Sequence, residues 1–391
     1  MKTKDLSLIL YTVILIAVGL FAIYSAGGSR YFIKQLLFIP VAFGGLIGAI
    51  FLRRHILYGI TEIIYLFTLL LLIGVLLLGG GPGARRWFSF GEISFQPSEF
   101  AKIATVLMLA KYISYKRSLK LNFNTIALPA LIIIIPLFLI LIEPDLGSAL
   151  SLLPAFAAML YWQGLSPLHI LLLFMPLFSF VAGFSLYLWV PFFIILAVIV
   201  FLRLPLSRAI IALAVASVFG LLSPVVLSHL KDYQRARVAS FFAPWLDPHG
   251  LGWNAIQSQI AIGSGRIFGK GYLSGTQKRL GFLPNRHTDF IFSSFAEETG
   301  LIGCLVLLGI FTLFLRQILQ VAYATRDQEG ALICVGFGAI FLYHIFVNIG
   351  MLLGLLPITG ITLPFISYGG SSLVVSAIMV GIVLNVGLRP E

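Results

Sequence analysis

Twelve apolar runs divide this chain, and nothing constrains its fold more than their length. They lie at roughly 6–26, 33–52, 56–79, 98–115, 125–143, 146–164, 167–185, 187–203, 208–229, 288–315, 331–353 and 366–388. A helix crossing the hydrocarbon core of a bilayer needs about 20 apolar residues. No water reaches the backbone there, so each run must satisfy its own N–H and C=O groups as a helix. The expected fold is an all-α polytopic transmembrane helix bundle of about 12 spans, one integral membrane domain over residues 1–391. With 60% of residues hydrophobic and 10% charged, nothing of useful size remains for a soluble domain.

Lys2 and Lys4 precede the first run, which is too long for the core of a cleaved leader and is expected to stay as an anchor. With the N-terminus in the cytoplasm, Arg53 and Arg54, then Lys116, Arg117 and Lys120, then Arg203 and Arg208, then Arg316 and Arg326 fall in inner connections, as the positive-inside rule requires. That rule also accounts for the net charge of +12 without a nucleic-acid partner. Between 167 and 203, Pro167, Pro176 and Pro191 are expected to break the chain into shorter or re-entrant pieces, so ten or eleven spans stay open. Cys304 and Cys334 lie within apolar runs and imply neither a disulfide nor a metal site. "GGGPGARRW" at 79–87 lacks the Lys-Ser/Thr ending of a phosphate loop and reads as a turn leaving the membrane.

Orientation collects the chemically capable residues on the outer side: Glu99, Lys102, Asp145 in "EPDLGSAL", Asp289, and "PFISYGGSS" at 364–372. A charge at the centre of a membrane helix costs at least about 2.5 kcal/mol, so it must face a cavity, find a partner or lie near an end. Asp289 is expected in the first turn of a helix beginning near His287, where the positive helix end favours a carboxylate by about 0.3 to 1 kcal/mol. That position suits a capping acid as well as a reactive one. Glu99 and Lys102, three residues apart on one helix face, are placed to form an ion pair. Glu297 and Glu298 point away from Asp289, at least one of them toward another helix or a cavity, and read as supports packed through buried hydrogen bonds.

The outer loop over 230–286 carries Lys231, Arg235, Arg237, Arg266, Lys270, Lys278, Arg279 and Arg286 against Asp232 and Asp247, the reverse of the topological bias. An anionic ligand such as phosphate or pyrophosphate would explain the excess; so would lipid headgroups. Its amphipathic portion, with Trp245 and Trp253, suits the membrane interface. A carboxylate, cations and lipid access together fit an enzyme acting on a lipid-linked phosphate, and fit a lipid transporter almost as well.

"IQSQIAIGSGRIFGKGYLSGTQKRLGFLPNRHTDFIFSSFAEETG" resembles the signature loop and helix of the SEDS family of RodA, FtsW and SpoVE, and its spelling is similar to the RodA branch rather than the division branch. "GARRWFSFGEISFQPSEFAKIA", "EPDLGSAL", "KDYQRARVASFFAPWLDP" and "LPITGITLPFISYGGSS" resemble the family's other motifs, in the same order and over nearly the whole chain. The resemblance implies a peptidoglycan glycosyltransferase of the bacterial cytoplasmic membrane, with its active site outside, polymerising lipid II into a growing glycan strand during cell elongation. Its partners would be a class B penicillin-binding transpeptidase and other elongation-complex membrane proteins. The family's essential aspartate falls on Asp289 and its polar pair on Glu99 and Lys102. Arg235, Lys270, Arg286, His287 and Ser367 become candidate substrate contacts, and Asp145, Glu297 and Glu298 supporting residues. A divalent cation, magnesium or manganese, is the cofactor this chemistry invites. Family members have ten spans, so about two extra helices are expected within 167–229. A flippase of the same lipid-linked precursor is the competing activity, and a scaffold for cell-wall enzymes a third.

The orientation makes one direct prediction. A membrane-impermeant thiol reagent applied to intact spheroplasts is expected to label Lys278→Cys from outside, and labelling only after lysis would invert the topology.

Overall fold

The structure, a computed structural model, describes residues 3–80, 85–90, 93–115, 123–229, 251–276 and 285–388. Lys116, Arg117, Lys120, Arg235, Trp245, Lys278 and Arg279 lie outside the described residues. The first helices are α1 (Thr3–Gly27), α2 (Ser29–Phe51), the short α3 (Arg54–Gly59) and α4 (Thr61–Leu78). They are followed by α5 (Pro97–Ser114), α6 (Phe123–Ile142), α7 (Leu146–Trp162), α8 (Pro167–Ala182), α9 (Leu186–Arg203) and α10 (Leu206–His229). The last four are α11 (Leu251–Ser264), α12 (Ile291–Ala324), α13 (Gln328–Leu352) and α14 (Gly370–Leu388). Eight of these, α1, α2, α4, α9, α10, α12, α13 and α14, are long and apolar enough to cross a membrane, and α6 to α8 are shorter apolar helices. The remaining candidate, α5, has the length of a span but carries Glu99, Lys102 and Lys111.

One local expectation gains detail and another needs correcting. The turn after α4 is closed as a small hairpin, β1 (Phe88–Phe90) paired antiparallel with β2 (Ile93–Phe95), with Gly80 bridging Trp87. Between 167 and 203 the prolines do not interrupt the helices: Pro167 opens α8 at its first turn, where its missing N–H costs nothing, and Pro176 and Pro191 lie inside α8 and α9. The chain turns at residues 183–185 instead.

Among membrane helices the driving force is close packing rather than exclusion of water, and small residues let backbones approach. Helix α14 lies along α2, where a Cβ on Gly381 would overlap the Leu46 carbonyl and one on Gly45 would press Ile378. Helices α13 and α14 are buried nearly all round, whereas α9 faces outward. Met175, Leu196, Val200, Ala209, Ala212 and Ala216 form a separate small core for α8 to α10. It is pinned by Trp189 Nε1 donating to Ser179 Oγ at 3.0 Å and Ser179 donating to the Ala216 carbonyl at 2.6 Å.

One end of the main bundle is tied by side chains that satisfy exposed helix carbonyls. Arg54 donates to the carbonyls of Asn385 (3.2 Å) and Val386 (2.7 Å) and pairs with Asp327 at 3.6 Å. Asn385 Nδ2 lies within 3.0 Å of the carbonyls of Ala49, Ile50 and Leu52. Lys111 meets Glu62 at 2.6 Å, and Gln328 donates to Gln163 at 2.9 Å. These contacts gather the ends of α2, α4, α5, α7, α12, α13 and α14 that alternation assigns to one side, which leaves their opposite ends together.

At that opposite end α12 is broken. Gly300 has φ 67° and ψ −168°, a conformation open to glycine. The backbone groups freed by the break are taken up by the segment after α11: Lys270 N and Gly271 N each donate at 3.0 Å to the carbonyls of Glu297 and Glu298. Leu301 N and Ile302 N in turn donate to the carbonyls of Arg266 (2.9 Å) and Ile267 (3.1 Å). A broken helix is tolerated at membrane depth only where its backbone is re-satisfied in this way.

A Cβ on Gly300 would collide with Gly269 N and the Ile267 carbonyl, whereas Gly309 in the same helix has open space. Gly300→Ala is therefore expected to lower the thermal midpoint of the detergent-purified protein by several degrees, reflecting a cost of about 1 to 3 kcal/mol or more. Gly309→Ala is expected to leave it unchanged or slightly raised, and equal midpoints for the two would remove the significance given to the break.

Candidate active site

Asp289 does not stand in the first turn of a helix. Residues 285–290 form turns, and α12 begins only at Ile291 with no side-chain cap. Its carboxylate accepts from its neighbour, Thr288 Oγ1, at 2.8 Å. The backbone around it is held from outside: Asn348 Nδ2 donates to the Asp289 carbonyl (2.9 Å) and the Ile361 carbonyl (2.7 Å). Ser367 Oγ donates to the Thr288 carbonyl at 2.7 Å, and Tyr368 N to the His287 carbonyl at 2.9 Å. The His287 ring stacks on Tyr31 with centroids 3.8 Å apart. Asp289 keeps a partial opening at the surface. Burial nonetheless raises its carboxyl above the ordinary range, opposed by the Thr288 hydrogen bond. Burial and the adjacent Arg286 lower the His287 imidazole.

The second element is buried deeper. Lys102 Nζ lies 2.7 Å from Glu99 Oε1 on α5, so the ion pair expected from the i,i+3 spacing is present, both side chains less than a tenth exposed. His344 of α13 completes the group, with Nε2 3.3 Å from Lys102 Nζ. One turn further along α13 stands Asn348, the residue that grips the Asp289 backbone. Helix α13 thus joins the Glu99–Lys102 pair to Asp289 through two side chains spaced i,i+4 on one face. The loop from α13 to α14 runs beside both, since the His344 Nδ1 atom is 3.3 Å from the Thr362 carbonyl.

The remaining motifs close the same end. Asp145 caps α7 by accepting from Ser148 N (3.2 Å), and also accepts from Gln96 Nε2 (2.8 Å) and Ser98 Oγ (3.3 Å) at the start of α5. Ser371 at the start of α14 donates to the Ser94 carbonyl at 3.2 Å. Arg86 donates to the carbonyls of Glu143 (2.8 Å) and Pro144, fastening the hairpin to the turn between α6 and α7.

The supporting acids divide their work. Glu297 Oε1 accepts from Lys270 Nζ (2.7 Å) and from Thr276 N and Oγ1 (2.8 Å each), so it anchors the loop after α11. Glu298 reaches the other way and accepts from Ser25 of α1 at 2.6 Å. Lys270, a candidate substrate contact, is thereby bonded to Glu297. Ser367, another candidate, has its hydroxyl engaged by Thr288 and by Leu363 N, so in this structure it supports the aspartate's turn. Arg286 stands beside the site partly exposed, and Arg235 lies outside the described residues.

Sequence reasoning missed His344, Asn348 and Glu143. The first two announce themselves in "YHIFVNIG" as polar residues inside an apolar helix, which in a membrane segment rarely lack a task. Glu143 was passed over for its neighbour Asp145. It is fully buried, and neither of its carboxylate oxygens has a hydrogen-bond partner among the described residues.

Comparison with known proteins identifies the family. The FtsW/RodA/SpoVE family model, described as cell cycle protein, matches residues 5–191 and 186–389. The chain belongs to this family. RodA of Treponema pallidum (strain Nichols), named a peptidoglycan glycosyltransferase, is 34% identical over 98% of each chain. Stage V sporulation protein E of Bacillus subtilis (strain 168) is 34% identical over 98% of this chain and 97% of its own. A probable peptidoglycan glycosyltransferase FtsW of Trichlorobacter lovleyi is also 34% identical, over 98% and 92% respectively. Identity therefore places the chain in the family without choosing a branch. A solved chain from work on how a peptidoglycan synthase complex coordinates polymerization and crosslinking matches with a TM-score of 0.77 at 30% identity, over 99% of this chain and 98% of that one. The SEDS protein described here is a multi-pass membrane protein of the bacterial cell envelope.

The orphaned Glu143 makes a pH-dependent prediction. Burial pushes its carboxyl up to about 8, Asp145 adds to the rise and Arg86 opposes it. A carboxyl raised on folding contributes its stability in full below its unfolded value, near 4.5, and loses it as pH rises toward 8. Wild type and Glu143→Gln are expected to melt alike near pH 5, and the variant to melt increasingly higher than wild type up to pH 9. Parallel profiles would show that Glu143 has a partner.

Proposed function

We propose that this protein is the polymerase that joins lipid II units into glycan strands, the transfer taking place at the Asp289 end of the bundle on the outer face of the bacterial cytoplasmic membrane. The chain is a peptidoglycan glycosyltransferase, the activity named for its RodA, MrdB and FtsW relatives. The observation that carries the mechanistic reading is the coupling of a partly open carboxylate, Asp289, to a buried ion pair, Glu99–Lys102, through one face of α13.

Asp289 acts as general base. It takes the proton from the sugar 4-hydroxyl of the acceptor as that oxygen bonds to the anomeric carbon of the donor. The bond from that carbon to the lipid diphosphate breaks with inversion, and the diphosphate leaves with its lipid. A carboxylate held above its ordinary range is the better base near neutral pH. A diphosphate departs without a strong general acid, so one base and nearby cations suffice, and the two-carboxylate arrangement of glycoside hydrolysis is unnecessary. Lys102 and Arg286 are the candidates to neutralise the leaving group, with Arg235 added from the basic loop. Among the described residues no group of three or more acidic, His or Cys side chains could hold a metal ion. A magnesium or manganese ion bound with the substrate's diphosphate would add to the neutralisation of the leaving group.

The role in cell elongation rests on "IQSQIAIGSG" and "GTQKRLGFLPNRHTDF", whose spelling follows the RodA branch. It brings the expectation of a class B penicillin-binding transpeptidase and other elongation-complex proteins as partners. Twelve crossings, two of them from the α8–α10 region beyond the family's ten, complete the proposed topology.

The test is polymerisation of lipid II in detergent by the protein purified with its transpeptidase, read as glycan chain length. Detergent abolishes sidedness, so a flippase makes no glycan. Asp289→Asn is expected to lose at least about 100-fold in rate with its melting temperature retained, and wild-type activity in that variant would remove Asp289 as the base.

A further inference from the structure

His344 is buried between α5 and the loop that follows α13, in contact at both ring nitrogens: Nε2 with Lys102 Nζ and Nδ1 with the Thr362 carbonyl, each at 3.3 Å. A charged lysine offers three N–H donors and no acceptor. Glu99 Oε1 takes one of them at 2.7 Å. The imidazole can take a second only through a lone pair on Nε2, which puts its single proton on Nδ1, facing the Thr362 carbonyl that accepts it. Both heteroatoms are then satisfied in one tautomer, as a buried polar ring requires. The ring cannot serve as imidazolium here, because Nε2–H would face an ammonium.

We propose that His344 is a positioning residue for glycosyl transfer. With Glu99 it fixes two of the three Lys102 donors and leaves the third, which has no acceptor among the described residues, for an oxygen of the departing lipid diphosphate. The inference rests on the reading of this site as a lipid II polymerase. It goes beyond that reading by giving the lysine's orientation a cause outside its own helix. Two short-range links make that orientation shared property: His344 binds the carbonyl of Thr362, and Asn348, one turn away, binds the carbonyls of Ile361 and Asp289. The cation and the base are thus registered against one loop. A residue wanted only for packing at this depth would have no reason to carry an acceptor toward a lysine.

The experiment compares His344→Leu, His344→Gln and His344→Asn in the lipid II polymerisation assay with the purified transpeptidase complex, with thermal midpoints measured alongside. The leucine variant removes the acceptor and is expected to lower kcat by about ten-fold or more, about 1.4 kcal/mol at the transition state, with KM little changed. Glutamine can accept from Lys102 with its oxygen and donate to Thr362 with its nitrogen, and is expected to recover the rate to within about three-fold of wild type. Asparagine ends one bond short and is expected to stay slow. If the leucine variant does not fold, the glutamine and asparagine pair decides alone. Wild-type kcat in His344→Leu, or equal rates for glutamine and asparagine, would overturn the proposal while leaving the polymerase reading intact. A wild-type complex that makes no glycan would instead overturn that reading.

Discussion

Every polar group that enters lipid must find its partner inside the protein, and the site exists because this chain meets that demand by pairing segments remote in sequence. The break at Gly300 is the clearest instance. Carbonyls freed from one half of α12 and N–H groups freed from the other are taken by residues 266–271, so a discontinuity that would be costly in hydrocarbon becomes the seam along which the basic loop is sewn to the bundle. Glu297 reinforces the seam through Lys270 and Thr276. The short helical half preceding the break follows directly on the turn that carries Asp289.

The same demand explains the polar face of α13. A helix buried nearly all round has no water for His344 or Asn348, so each reaches across to another element: His344 to Lys102 and Thr362, Asn348 to Asp289 and Ile361. Their partners are mostly backbone carbonyls, which hold geometry without adding charge. The one strongly charged contact in this layer, Glu99 with Lys102, is neutral as a pair, and this is how two ionised side chains remain less than a tenth exposed. Glu143 departs from the pattern, a buried acid whose carboxylate oxygens have no hydrogen-bond partner among the described residues, and burial answers by favouring its neutral form.

Much of the architecture was legible in advance. Apolar run length marked the spans, and charge asymmetry gave an alternation with which the tied helix ends of Arg54, Asp327, Lys111 and Gln328 agree. Spacing announced the Glu99–Lys102 pair, and helical geometry sent at least one of Glu297 and Glu298 toward another helix or a cavity; Glu298 accepts from Ser25 of α1. Less legible were features in which one segment's conformation depends on another. Hydropathy reads 288–315 as one run and cannot see that Gly300 adopts a positive φ, because the backbone on either side of it is paired with residues 27 to 35 positions earlier. Nor does it show that Asp289 belongs to a turn, since the turn is held by Asn348 and by Ser367 from the loop before α14.

By itself the sequence determined a polytopic helical membrane protein, the order of its helices, and the set of charged and hydroxylic residues gathered at one end. Its motifs carried the family. The reason is physical: crossing a bilayer is a property of local composition, and a charge near a helix end signals itself along the chain. Tertiary structure alone decided which of those residues touch. Hydrogen bonds between residues 49 to 273 positions apart, from Arg86 and Ser25 to Asn348, depend on how helices pack, and packing is set by the fit of whole surfaces rather than by any run of neighbours.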